Sequence, residues 1–130
     1  MRLRHTLCLL LLATSGLSSC GALLGVGAGV VISQDLMDNN TFVAQLSEDV
    51  DVAWATTKVS LGKQTDLPLT LDEDRRTAVA MIDDARVTVS IEAYDVDRCR
   101  LLVSARKYGV TNGEIADLVF NRLLENFEQP

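Results

Sequence analysis

Three D-x-D pairs punctuate the chain: Asp49 with Asp51, Asp72 with Asp74, and Asp95 with Asp97. Carboxylates at that step are what a hard cation, or a hydrolytic acid–base pair, would use. None of the pairs continues into a twelve-residue calcium loop with glycine sixth and a closing glutamate. Two of them, and Asp83-Asp84, fall where hairpin turns are expected, and turns favour aspartate for its local hydrogen bonds. A glycosidase would need two carboxylates facing each other across a cleft, about 5 to 9.5 Å apart, and acids scattered over turns do not provide one. No metal site is predicted. The single histidine, His5, precedes everything that looks folded, so the usual general base, the usual zinc ligand and any Ser-His-Asp or Cys-His arrangement are missing from the domain.

Cys20 is the one nucleophile with an interpretable context. It ends MRLRHTLCLLLLATSGLSSC: two arginines, an apolar run and then small residues, the order of a secretory signal. Leu17, Ser18, Ser19 and Cys20 together resemble a bacterial lipobox. By that resemblance residues 1–19 are a lipoprotein signal peptide. Cys20 would then carry a diacylglycerol (palmitate-type chains) and an N-acyl chain, and no other cofactor is expected. Each buried methylene contributes roughly 0.8 kcal/mol, so two or three acyl chains anchor a protein permanently where one does not. Gly21, in place of a retaining aspartate, points to the periplasmic face of the outer membrane of a Gram-negative bacterium.

Gly21, Gly25 and Gly29 keep a GxxxG step, but about thirteen apolar residues remain after cleavage, too few to span ~30 Å of hydrocarbon. A nucleotide loop is excluded because a signal, not a strand, precedes the glycines. Residues 20–34 therefore read as an apolar tether and residues 35–130 as one small domain.

Removing residues 1–19 from the 130 leaves 111, enough for a modest core. It also leaves 10 basic against 18 acidic residues, a net charge near −8. Such a chain is repelled by nucleic acid, and no basic stripe offsets this. Cys8 departs with the signal and Cys20 is consumed by lipid, so Cys99 has no partner for an intrachain disulfide and reads as a small buried apolar residue on a strand.

Within the domain, Thr41 to Leu46 alternates as a strand with Phe42, Ala44 and Leu46 on one face. Ser47 is the expected N-cap of a helix that runs to Leu61 and stops at Gly62. Val50, Ala53, Trp54, Thr57 and Leu61 form its core stripe. Val52, Ala55 and Val59 form a second apolar face, which calls for a second covering element, the C-terminal helix or a loop, or else for a partner; the covering element is the expectation. Strands are predicted over Leu67–Leu71 (an edge, given Pro68), Thr77–Ile82, Arg86–Tyr94 with Val87, Val89, Ile91 and Ala93 inward, and Arg100–Tyr108. Thr111 and Glu114 form a T-x-x-E capping box. Behind it, Ile115, Ala116, Val119, Phe120, Leu123, Leu124 and Phe127 make a wide helical stripe that must dock on the sheet. The order β-α-β-β-β-β-α specifies an α+β fold, an antiparallel sheet of about five strands with two packed helices in a helix-grip-like arrangement.

The lipobox, the Gly/Ala-rich segment, a helix with a central tryptophan (Val50-Asp51-Val52-Ala53-Trp54), the meander and the step Arg106-Lys107-Tyr108-Gly109 resemble a family of small bacterial lipoproteins classed as a domain of unknown function. The resemblance implies an envelope lipoprotein without an established activity, and it carries over no catalytic residues. The expected function is a membrane-anchored, non-enzymatic accessory or interaction domain with an envelope protein partner. The alternative is a periplasmic small-ligand binder using the sheet face beneath the C-terminal helix. Arg86, Tyr94, Arg100, Arg106 and Tyr108, on the polar registers of their strands, form the candidate interaction surface.

Overall fold

A computed structural model of the chain describes residues 30–37, in their backbone course, and 41–128. It is an α+β fold: an antiparallel sheet with two helices. The lipobox, Cys20 and Gly21 lie outside the described residues.

Strand β1, Val30–Met37, pairs with β2, Thr41–Ser47. Helix α1, Val50–Gly62, then crosses the sheet to the far edge, where β3, Thr70–Asp72, begins a meander through β4, Thr77–Ile82, β5, Ala85–Asp95, and β6, Arg98–Lys107. The meander brings β6 back beside β2, so the strand order is β1-β2-β6-β5-β4-β3. A two-residue β7, Val110–Thr111, pairs with the end of β6, and α2, Gly113–Glu128, closes the fold.

Alternation on the strands decides which face is covered. Ala44 and Leu46 on β2, Ala78, Ala80 and Ile82 on β4, Val87, Val89 and Ile91 on β5, and Cys99, Leu101, Val103 and Ala105 on β6 are buried in one core. Ala53, Trp54 and Leu61 of α1 and Ala116, Val119, Phe120, Leu123, Leu124 and Phe127 of α2 complete it. The Phe42 and Phe120 rings meet with centroids 5.5 Å apart, a tilted aromatic contact that joins the N-terminal part of the sheet to the last helix.

Several boundaries differ from the sequence expectation, each for a local reason. The N-cap of α1 is Asp49, not Ser47: its carboxylate accepts from Asp51 N at 2.9 Å and Val52 N at 3.4 Å. Likewise Asn112, not Thr111, caps α2 by accepting from Ile115 N at 3.1 Å, because Thr111 is held in β7. Helix α1 does not end in a left-handed glycine; Lys63, in right-handed helical conformation, is its C-cap. The strand expected from Leu67 contracts to three exposed residues at the edge, where Pro68 has no N–H to give. Ala93 pairs with Cys99 on the inward register but is exposed, at the point where a bulge before Asp95 breaks the ladder. Val52 and Val59 are also exposed: α2 packs on the inner side of α1, not over its second apolar face. Strand β1, which starts within the stretch read as tether, has no counterpart in the sequence expectation.

Candidate recognition face

Both helices lie on one side of the sheet, and among the described residues no helix covers the other side. Register places its residues in rows across the strands. One row runs Met81, Arg86, Arg106, Thr111; the next Val79, Thr88, Ser104; then Thr77, Ser90, Leu102, Val43; and then Glu92, Arg100, Gln45.

The five candidate interaction residues fall into two groups at opposite ends of this face. Arg100 faces Glu92 across β6 and β5, and its Nη2 donates to Glu92 Oε2 at 3.1 Å. Its guanidinium also lies 5.7 Å from the Tyr94 ring centroid. An opposite-charge cross-strand pair with an aromatic neighbour neutralises the guanidinium charge, although the buried Arg100 Nε finds no hydrogen-bond partner among the described residues.

Arg86, Arg106 and Tyr108 sit at the other end, and their arrangement is different. Arg86 is directly opposite Arg106 on the same two strands. Like charges directly opposite are destabilising, yet among the described residues neither arginine is in an ion pair. They line an open cleft of about 500 Å³ together with Met81, Asp84, Thr88, Ser104, Tyr108 and Gly109.

Two tight turns frame that cleft. Asp83 and Asp84 join β4 to β5 with φ of 49° and 63°, and Tyr108 and Gly109 join β6 to β7 with φ of 52° and 79°. Two consecutive positive φ values are the signature of type I′ hairpins, whose twist matches that of the strands. A Cβ on Gly109 would meet nothing within 4 Å, so its left-handed backbone alone is what favours glycine there. Tyr108 adopts the same region without that freedom and is left 83% exposed, a conformation that costs about 1 kcal/mol.

Four of the six carboxylates in the D-x-D pairs are engaged in structural bonds. Asp49 caps α1 and Asp51 bonds Arg76 at 2.7 Å. Asp72 accepts from Arg75 N at 3.0 Å, and Asp95 accepts from Val96 N at 2.7 Å. Cys99 is a free, fully buried thiol, and desolvation, followed by the nearby Glu48 and Asp49 carboxylates, raises it from 9.0 to about 11. At neutral pH it is therefore a buried thiol in its protonated form. The sheet face beneath α2, the expected ligand surface of the alternative reading, is filled by the core itself: Leu101 and Val103 are fully buried there with Phe120 and Leu123.

Thr88 and Ser104 are legible in the sequence only as outward registers of their strands, and Asp84 only as a turn residue. Their convergence on the arginines follows from strand pairing. A scan against protein-family models finds none that matches the chain, and no curated protein matches it.

Proposed function

We propose that this chain is a bacterial lipoprotein, tethered through acylated Cys20 at the periplasmic face of the outer membrane, and that it serves as a non-enzymatic accessory domain. Its open sheet face is the recognition surface for an envelope partner. The one-sided sheet carries this reading. A sheet of this size is ordinarily covered on its apolar face and wetted on the other; here the wet face is broad, regular and studded with cross-strand charge. Leu17-Ser18-Ser19-Cys20 behind an apolar run supports the tether, and acyl chains would fix the domain at the membrane while leaving that face free.

The test has two arms. Labelling with radioactive palmitate is expected to mark the chain and to be lost in Cys20→Ser, with accumulation of the unprocessed precursor; a product that still begins at Met1 overturns the tether. A photo-crosslinker placed at Ser90, in the middle of the open face, is expected to capture one stoichiometric envelope protein, whereas the same probe at exposed Glu125 of α2 is not. Equal labelling from both positions overturns the recognition surface.

A further inference from the structure

We infer that the cleft between the two type I′ turns is a phosphate-binding site in which Arg86 and Arg106 are the charged ligands and Thr88 and Ser104 the neutral donors. The inference rests on the open face being the recognition surface.

The contrast within one face is the starting observation. Arg100 and Arg106 lie on the same strand, on the same side and six residues apart. Arg100 has an acid opposite; Arg106 has Arg86. The chain holds 18 acidic residues against 12 basic ones, so carboxylates are not scarce. The pair nonetheless stands without an ion-pair partner among the described residues, next to hydroxyls at positions 88 and 104 in the adjoining row and inside a concavity.

Two guanidinium forks present planar sets of N–H donors suited to oxyanions. Their combined charge of +2 matches a phosphate monoester, which carries about −1.5 to −2 at neutral pH; a carboxylate supplies half of that and fewer acceptor oxygens. Bound phosphate would convert the like-charge repulsion into two charge-assisted contacts. Asp84, on the rim, opposes a bare anion and would accept from a hydroxyl or ammonium next to the phosphate.

The position of the cleft selects its source. Val30, where the described chain enters the sheet, pairs with Ser47, beyond the Leu46–Cys99 pair. Arg106 lies seven residues further along β6 from Cys99, roughly 23 Å at the rise of a strand. The cleft is thus at the end of the sheet remote from Val30, and the inference commits to phosphate esters of the aqueous phase over headgroups of the anchoring membrane.

Isothermal titration of the full chain in neutral detergent micelles, at constant ionic strength, tests this with inorganic phosphate, glycerol phosphate and acetate. Saturable binding of both phosphates is expected, with acetate at least tenfold weaker. Arg86→Gln and Arg106→Gln should each weaken phosphate about tenfold, and Asp84→Asn, which suits a left-handed turn position, should tighten it severalfold. Neither arginine variant should lower Tm, because each removes a repulsion; a structural role would lower it. No saturable phosphate heat, or equal binding by the double variant, overturns the site. Doping the micelles with phosphatidylglycerol should leave the phosphate Kd unchanged, and competition by the doped micelles would overturn the aqueous source. Capture at Ser90 with no phosphate binding would sink this inference and leave the recognition surface standing.

Discussion

The indole Nε1 of Trp54 donates to Glu73 Oε2 at 2.6 Å, which ties the middle of α1 to the turn between β3 and β4. Lys58, one helical turn on, reaches the same carboxylate at 3.0 and 3.1 Å and lies 5.1 Å from the Trp54 ring centroid. Arg76, at the other end of that turn, bonds Asp51 near the start of α1. The acidic run Asp72-Glu73-Asp74 is therefore not an idle solvated loop; it laces the edge hairpin to the helix that crosses the sheet.

The bond from Trp54, then that from Lys58, lowers the Glu73 carboxyl below its ordinary 4.5. A depressed acid favours the folded state above its unfolded pKa, and that contribution fades as pH falls through the folded value. Trp54 is the only tryptophan, so its fluorescence reports the event directly. An emission change with a midpoint below 4.5 is expected on acidification, and Glu73→Gln should abolish it and flatten the acid limb of the stability curve. An unchanged limb in the variant would show that the bond does not govern that limb.

Cys99 sets the opposite limb. Its thiol is raised, so its contribution to folding is complete below pH 9.0 and is lost as pH climbs toward about 11. Cys99→Ala should start less stable but lose less between those limits, as read by chemical denaturation at a series of alkaline pH values. Under native conditions at pH 7 a thiol reagent should modify Cys99 only as fast as the protein opens.

Thr57 is fully buried on α1, and its hydroxyl finds no hydrogen-bond partner among the described residues. Valine keeps the shape and removes the stranded polar group. Thr57→Val should therefore stabilise the domain by about 1 kcal/mol, within the 1–3 kcal/mol range for an unsatisfied buried group. Urea denaturation with an unchanged m-value would measure it; a loss of stability would mean that the hydroxyl has a partner.

Phe120 is 2% exposed and in contact with Phe42. Phe120→Ala should cost about 3–5 kcal/mol, a large fraction of the total for a domain of this size. A cost under 1 kcal/mol would show that α2 does not hold the sheet.

The Arg86–Arg106 pairing also has a stability consequence apart from any ligand. Arg86→Glu would recreate at this end of the face the arrangement of Glu92 and Arg100, and should raise stability by about 0.2–1 kcal/mol. Thermal unfolding should show the gain at low salt and lose most of it near 1 M, where the screening length falls to about 3 Å.

Elements with a strong hydrophobic period are legible in the amino-acid sequence by itself. β4 matches the sequence reading residue for residue, and the inward set Val87, Val89 and Ile91 follows from simple alternation. The seven-residue stripe of α2 is likewise where the spacing puts it. What escapes the sequence depends on pairing across distance. Strand β1, VVISQDLM, continues an apolar stretch and carries no clean alternation to mark it. Asp49 and Asn112 take over as caps because their carboxylate and amide oxygens reach free backbone N–H groups, while Ser47 and Thr111 are used up in strands. The candidate interaction residues are legible as a set but not as two groups: only register reveals that Arg100 has a glutamate opposite and Arg86 another arginine. Trp54 and Glu73 are nineteen residues apart, and no local pattern links them.

The place of β6 beside β2 bears on the order of folding. Phe42 faces Val103 and Leu46 faces Cys99, so a chain delivered N-terminus first would hold β2 without its inner neighbour until sixty-one residues more had followed Phe42. Closing that interval is an entropic barrier that local helix formation cannot bypass. Strand β6 pairs with β2, β5 and β7; it is the late keystone, and a chain cut short before Arg98 would expose the edge of β2 to whatever strand lay nearest.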